Sequence, residues 1–210
     1  FCRRVGVTKQ DNVVEMSLLE FCIRQDLEST SPRAMVVLDP LKVTLTNYSE
    51  DDETLEAPWH PQQDHLGRRP IPFGPNLFIE REDFAEVPPK KFKRLSPGEM
   101  VRLRYGYIIR CDEVIKDFDG RITELRCSYF PDSKSGADTS GLKPMGVIHW
   151  VAAEASVPVR VRLYERLFRE PAPSGSTFLE DLNPESMREV EARAEPAIMG
   201  SAETRFQFER

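Results

Sequence analysis

Residue types that usually carry catalysis or bind metals are scarce in this chain: of 210 residues, three are histidine (His60, His65, His149) and four are cysteine (Cys2, Cys22, Cys111, Cys127). The cysteines form no CxxC pair and the histidines do not fall at metal-ligand spacing, so no metal site is expected and buried free thiols in a reducing compartment are. No run approaches the roughly 18 consecutive apolar residues that a membrane helix needs, and the opening FCRRVGV lacks the apolar block of a signal peptide. A soluble, cytoplasmic protein with no membrane partner is the expectation. Because the first residue is not Met, the chain is expected to be an excerpt of a longer protein. GxGxxG, Walker, GxSxG and HExxH motifs are absent, which removes the usual phosphate cradles, nucleophile elbows and zinc-protease sites. His149, inside the apolar run GVIHWVA, reads as a hydrogen-bonded structural residue rather than a general base. On these grounds the chain reads as a binding module.

What is abundant is charge, unevenly placed. The net charge is −6, yet between Lys90 and Arg110 the residues Lys90, Lys91, Lys93, Arg94, Arg102, Arg104 and Arg110 face Glu99 alone. From Val101 to Arg104 apolar and basic residues alternate, placing Val101 and Leu103 on one face of a strand and Arg102 and Arg104 on the other. Such alternation is shared by solvated sheet faces and by surfaces that offer guanidinium groups to a planar anion. The preceding KKFKR, the Ser96-Pro97-Gly98 turn and the use of arginine favour the second. A second basic face, Arg160 and Arg162 in VRVRLYERLF, fits a solvated one.

Apolar spacing from Thr8 to Leu27 predicts a helix of about four turns capped by Asp11 or Asn12. Beyond Ser31-Pro32 the runs are short, β-branched and bounded by turn residues. Strands are expected at 34–38, 41–48, 76–80, 100–110, 113–116, 122–129, 146–152 and 157–168, with Asp119-Gly120 as a hairpin turn. The acidic stretch 49–56, the segment PWHPQQDHLGRRPIP and residues 133–144 are expected as surface loops. NPESM is a candidate cap for a short helix, and 192–205 shows no clear period. The fold class is mainly β, in antiparallel barrels or sandwiches.

Six collinear blocks, GVTKQDNVVEMSLLEFCIRQDL, PRAMVVLDPLKVTLTNY, KFKRLSPGEMVRLR, GVIHWVA with RLYERLF, NPES and FQFER, resemble the C-terminal part of glutaminyl-tRNA synthetases, class I aminoacyl-tRNA synthetases. The resemblance implies two antiparallel β-barrels of the kind shared with a ribosomal protein, preceded by a short helical segment. Residues 1–30 would end the helical subdomain; 31–48 with about 145–210 would form the proximal barrel, and about 49–144 the distal one. It implies splayed anticodon bases read by side chains, a mode suited to unstacked RNA. Arg33 and Gln207 would contact the middle base, Lys93 with Arg94 the third, and Arg104 the first. The segment Lys9, Gln10, Asp11, Asn12, Val13, Val14, Glu15 and Met16 would touch tRNA and couple recognition to the catalytic half. The chain departs from the family at Tyr105-Gly106, where Asn-Ala is common, and at Gln62, where an Asn is expected. The implied whole is a monomeric glutamine-tRNA ligase acting on the tRNA for glutamine, with ATP and magnesium held upstream and no cofactor, metal or catalytic residue in this part. Two alternatives share the architecture: a barrel-bearing glutamyl-tRNA synthetase and a non-catalytic ribosomal-type RNA-binding barrel.

Overall fold

The computed structural model describes residues 1–10, 13–49, 53–170, 179–199 and 204–209. Two helices, α1 (Cys2–Val5) and α2 (Met16–Thr30), precede the strands β1 (Arg33–Ala34), β2 (Val36–Val37), β3 (Pro40–Leu45), β4 (Glu53–Pro58), β5 (Arg68–Phe73), β6 (Asn76–Glu80) and β7 (Met100–Leu103). They continue with β8 (Ile108–Lys116), β9 (Ile122–Phe130), β10 (Val147–Ile148), β11 (Trp150–Ala152), β12 (Val157–Tyr164), β13 (Met187–Ala194) and β14 (Gln207–Phe208). The mainly β expectation holds.

A seven-stranded sheet in the order β10-β7-β8-β9-β3-β6-β11 forms a nearly closed barrel. Its two edges belong to one stretch of chain. Val147 and Ile148 pair with β7, whereas Trp150 to Ala152 pair with β6, so the GVIHWVA block joins the sheet's ends and bends at His149. Pairing is antiparallel except for β3 with β9 and β10 with β7, which are parallel. Strands β3, β10 and β11 come from the segments 31–48 and 145–210 and the other four from 49–144, so this sheet draws on both expected barrels. A separate sheet, β12-β13-β2, and the hairpin β4-β5 flank it, while β1 pairs in parallel with β14.

The barrel interior follows from the alternation of its strands. Leu41, Val43, Leu45, Leu77, Ile79, Val101, Leu103, Leu125 and Cys127 are buried together. Five aromatic rings, Tyr48, Phe73, Tyr107, Tyr129 and Trp150, fill one region, with Phe73 and Trp150 edge to face at 5.3 Å. A smaller cluster, Val36, Ala192 and Ala194, sits under β12 and β13. Cys111 and Cys127 are buried register partners across β8 and β9, but Cys2 is exposed and Cys22 half-buried, so only two thiols match the buried expectation. The Asp119-Gly120 hairpin is present, with Gly120 at φ 78 and the Asp117 N–H bonded to the Arg121 carbonyl at 2.9 Å.

Several expectations need correcting. The helix predicted from Thr8 starts at Met16 and runs to Thr30, with Glu15 in extended backbone before it. Consecutive β-branched Val13 and Val14 hold the preceding segment away from helix, and the predicted caps Asp11 and Asn12 lie outside the described residues. Residues 100–110 form two strands because the chain turns at 104–107. Tyr105 adopts φ 62, and a Cβ at Gly106 would lie 3.3 Å from the Leu103 Cβ. The supposed loops at 49–56 and 58–72 contain most of β4 and β5, whose inward residues Leu55, Ala57, Ile71 and Phe73 were masked by interleaved prolines and charges. Asn183 caps no helix: its side chain accepts the Glu185 N–H at 3.0 Å in a turn leading to β13. Among the described residues no helix is long and apolar enough to cross a membrane.

Candidate nucleic-acid interface

Arg33 and Gln207 are brought together from opposite ends of the chain. β1 and β14 pair in parallel with Arg33 opposite Gln207, so both side chains leave the same face. The Gln207 N–H bonds the Pro32 carbonyl at 2.9 Å, and the Arg33 N–H bonds the Trp59 carbonyl at 2.6 Å. Arg33 is buried, and its guanidinium donates to the Glu28 carbonyl at the end of α2 (3.2 Å). That carbonyl also takes a bond from His60 Nε2 at 2.9 Å, while His60 Nδ1 accepts the Gln62 N–H at 3.1 Å. His60 therefore fixes the WHPQQ segment against the base of Arg33. The Gln207 side-chain oxygen is buried and has no hydrogen-bond partner, an arrangement that costs free energy unless a ligand supplies a donor.

Lys93 and Arg94 lie on the segment between β6 and β7. The Lys93 side chain is exposed, and its backbone carbonyl sits so close to Gly146 that a Cβ there would come within 2.2 Å of it. Arg94 forms an ion pair with Asp83, which is almost fully buried. On the other side of Asp83 stands His149, with Nδ1 at 3.6 Å, and His149 Nε2 faces Glu80 at 3.6 Å. Glu80 in turn accepts the N–H groups of Leu38 and Asp39 at 2.9 and 2.7 Å. Burial pushes the Asp83 carboxyl up, against the pull of Arg94. Burial also acts on Glu80, but the nearby His149 and the bonds from the two backbone N–H groups outweigh it and hold this carboxyl below its usual value. His149 is thus a buried structural link between a backbone anchor and the partner of Arg94.

Arg104 opens the turn after β7. Its N–H bonds the Ile148 carbonyl at 2.9 Å, and its carbonyl accepts the Trp150 indole N–H at 2.9 Å, so the closing stretch of the barrel holds it. The adjacent Tyr105 hydroxyl donates to Glu209 Oε1 at 2.7 Å. Glu209 and Glu195 share one fully buried cation, Arg69, at 3.2 and 2.6 Å. Arg69 also donates to the Pro58 carbonyl at 2.5 Å and lies 5.5 Å from the Trp59 ring and 5.7 Å from the Tyr105 ring. Burial, with a smaller push from the Glu209 charge and against the pull of Arg69, raises Glu195 to about 7. Burial and the bond to Glu209 raise the Tyr105 phenol to about 12.

Within the helix-start segment, Lys9, Gln10, Val13, Val14 and Glu15 are exposed and Met16 is the first residue of α2; Asp11 and Asn12 are outside the described residues. Glu15 pairs with Arg166 at 2.6 Å, tying this segment to the chain just past β12. Other basic residues of the rich window are engaged elsewhere. Arg102 is bound to Asp138 and donates to the Ser133 carbonyl at 2.5 Å, and Arg110 pairs with Asp112 at 2.7 Å. Arg160 and Arg162 both pair with Glu189 across the β12-β13 ribbon.

Comparison with known proteins decides what these residues belong to. Residues 31–130 match the family model for tRNA synthetases class I (E and Q), anti-codon binding domain, and residues 147–210 match a second model of the same description. The chain belongs to this anticodon-binding family. It is 54% identical over 217 residues to the glutamine-tRNA ligase of Pseudomonas putida, covering 100% of this chain and 38% of the relative. The glutamine-tRNA ligases of Pseudomonas aeruginosa (53%) and of Neisseria meningitidis serogroup A (49%) also match the whole chain, which covers 39% of each. The chain therefore spans about two fifths of the length of these relatives.

In this anticodon-binding chain, sequence reasoning missed the group that links its two family segments. Arg69, Glu195 and Glu209 belong to no motif, and Tyr105 stood out only as a departure from the family. The one available signal was apolar alternation around Arg69 in RRPIPF, which puts that arginine on the inward face with Ile71 and Phe73.

Proposed function

We propose that this chain reads the anticodon of the tRNA for glutamine, as part of a monomeric, cytoplasmic glutamine-tRNA ligase whose remaining length activates glutamine with ATP and magnesium. The observation that carries the proposal is the Arg33–Gln207 pair: two planar hydrogen-bonding side chains on one face, with the Gln207 oxygen buried and unpartnered. A guanidinium offers donors and an amide offers a donor and an acceptor, which together match the pairing edge of an unstacked base. Arg94 and Arg104 are held from behind by Asp83 and by the Ile148 and Trp150 contacts. The Arg94 guanidinium and the Arg104 backbone are thereby held before RNA arrives, which lowers the entropy lost on binding. Lys9 and the neighbouring segment up to Met16 supply a further tRNA contact, joined through Glu15 and Arg166 to the β12 ribbon.

Glutamate is the competing amino acid, because the matching family model covers both the E and Q classes. The test is aminoacylation by the full-length protein with tRNA transcripts. Charging with glutamine but not glutamate, and a fall in rate on replacing each anticodon base, is expected. Charging with glutamate, or indifference to the anticodon, overturns the proposal.

A further inference from the structure

Tyr105 stands beside Arg104 in left-handed backbone, φ 62, a conformation that a bulky residue keeps where its surroundings hold it. Two contacts hold it here. The hydroxyl is bonded to Glu209, and the ring packs over Arg69, whose guanidinium bridges Glu209 and Glu195. Glu209 directly follows β14, two positions after Gln207, and its N–H bonds the Ala34 carbonyl at 2.9 Å as the Gln207 N–H bonds that of Pro32. The carboxylate that fixes the turn is therefore carried by the residue that directly follows the strand of Gln207. From the barrel side, Ile148 and Trp150 hold the Arg104 backbone. The turn is clamped between barrel and β14.

We propose that Tyr105 is a positioning residue for base recognition: its hydroxyl locks the Arg104 turn to β14, so that Arg104 and the Arg33–Gln207 pair meet adjacent anticodon bases as one rigid unit. The inference rests on the anticodon-reading function proposed above. Without the hydroxyl, the ring can still lie over Arg69, but nothing bonds the turn to Glu209. The Arg104 turn is then held from the barrel side alone, and part of the binding energy is spent on fixing its β14 side. The Lys93–Arg94 segment shares none of these contacts; it is held by Asp83 and Gly146.

The experiment uses the full-length protein and four glutamine tRNA transcripts, one cognate and one altered at each anticodon position. Discrimination is the ratio of kcat/KM values for cognate and altered transcripts, compared between wild type and Tyr105→Phe. Losing one hydrogen bond to a carboxylate is expected to lower first-position discrimination about tenfold and middle-position discrimination by a smaller factor. Third-position discrimination, the internal control, stays as in wild type. Glu209→Gln, which keeps an acceptor for the hydroxyl while removing the charge on Arg69, is expected to retain more first-position discrimination than Tyr105→Phe. It also serves where Tyr105→Phe does not fold, with near-wild-type first-position discrimination as its expected result and an equal fall at all three positions as the overturning one. A uniform loss at all positions in Tyr105→Phe, or no loss, overturns the positioning role while leaving the anticodon-reading function intact. A wild-type protein indifferent to the anticodon overturns both.

Discussion

Arg33 and Gln207 face each other across the parallel pairing of β1 and β14, and this contact joins the start of the β region to its far end. The two side chains share a face and the Gln207 oxygen has no partner of its own, so under the proposed function they act on one base together. Their substitutions should therefore not add. In the full-length protein, Arg33→Ala and Gln207→Ala are each expected to cost about 1 to 3 kcal/mol of discrimination at the middle base, and the double variant less than their sum. Steady-state charging of middle-base transcripts by the four proteins checks this; strict additivity would contradict a shared base.

Arg69 is the only cation contacting Glu195 and Glu209 among the described contacts, and all three are almost fully buried. Arg69→Ala leaves the Glu209 carboxylate and the buried Glu195 carboxyl without their cation. Stability is expected to fall by about 3 to 5 kcal/mol, the usual result of breaking a buried ion pair from one side. Denaturant unfolding of wild type and variant measures it, and a loss under about 1 kcal/mol would show that water reaches the network.

Glu195 titrates at about 7 in the folded protein, against 4.5 for the free group. With the folded pKa raised, the folded state holds a proton that the unfolded state releases. The contribution is complete below the unfolded pKa and is lost as pH climbs through the folded one. Relative to Glu195→Gln, the wild type should therefore lose on the order of 3 kcal/mol between pH 4.5 and 7.5. Parallel stability curves for the two proteins across that range are the outcome that contradicts the buried proton.

Asp83 links Arg94 to His149. Asp83→Asn removes the charge that orients Arg94, and third-base discrimination is expected to drop about tenfold while the first and middle positions hold. Transcripts altered at single anticodon positions separate the cases. An equal effect at all three would mean that Asp83 supports the barrel as a whole.

Much of this arrangement is legible in the sequence where the determinants are local. Alternation in PLKVTL, NLFIE and MVRL sets the barrel faces, and Asp119-Gly120 marks its hairpin because only a turn with positive φ suits that pair. Arg94 and Arg104 stand out by charge, and the family resemblance adds Arg33 and Gln207. What stayed hidden depends on distant partners. The β4-β5 hairpin carries Pro58, Pro70 and Pro72, which local rules read as loop, although its prolines sit where the pairing tolerates them. Arg102 has the same strand alternation as Arg104 but is taken up by Asp138, a residue that the sequence places in a loop with no visible relation to β7. The parallel β1-β14 pairing and the Arg69 network need the two ends of the chain folded together, and no window of neighbouring residues contains that information.

The central claim is that Arg33 reads the middle anticodon base. The most direct measurement is the ratio of glutamine-charging kcat/KM for the cognate transcript to that for a middle-base variant, taken in the full-length wild type and in Arg33→Ala. The ratio is expected to shrink by roughly ten- to a hundredfold in Arg33→Ala. An unchanged ratio, with the variant folded and active, would contradict the account.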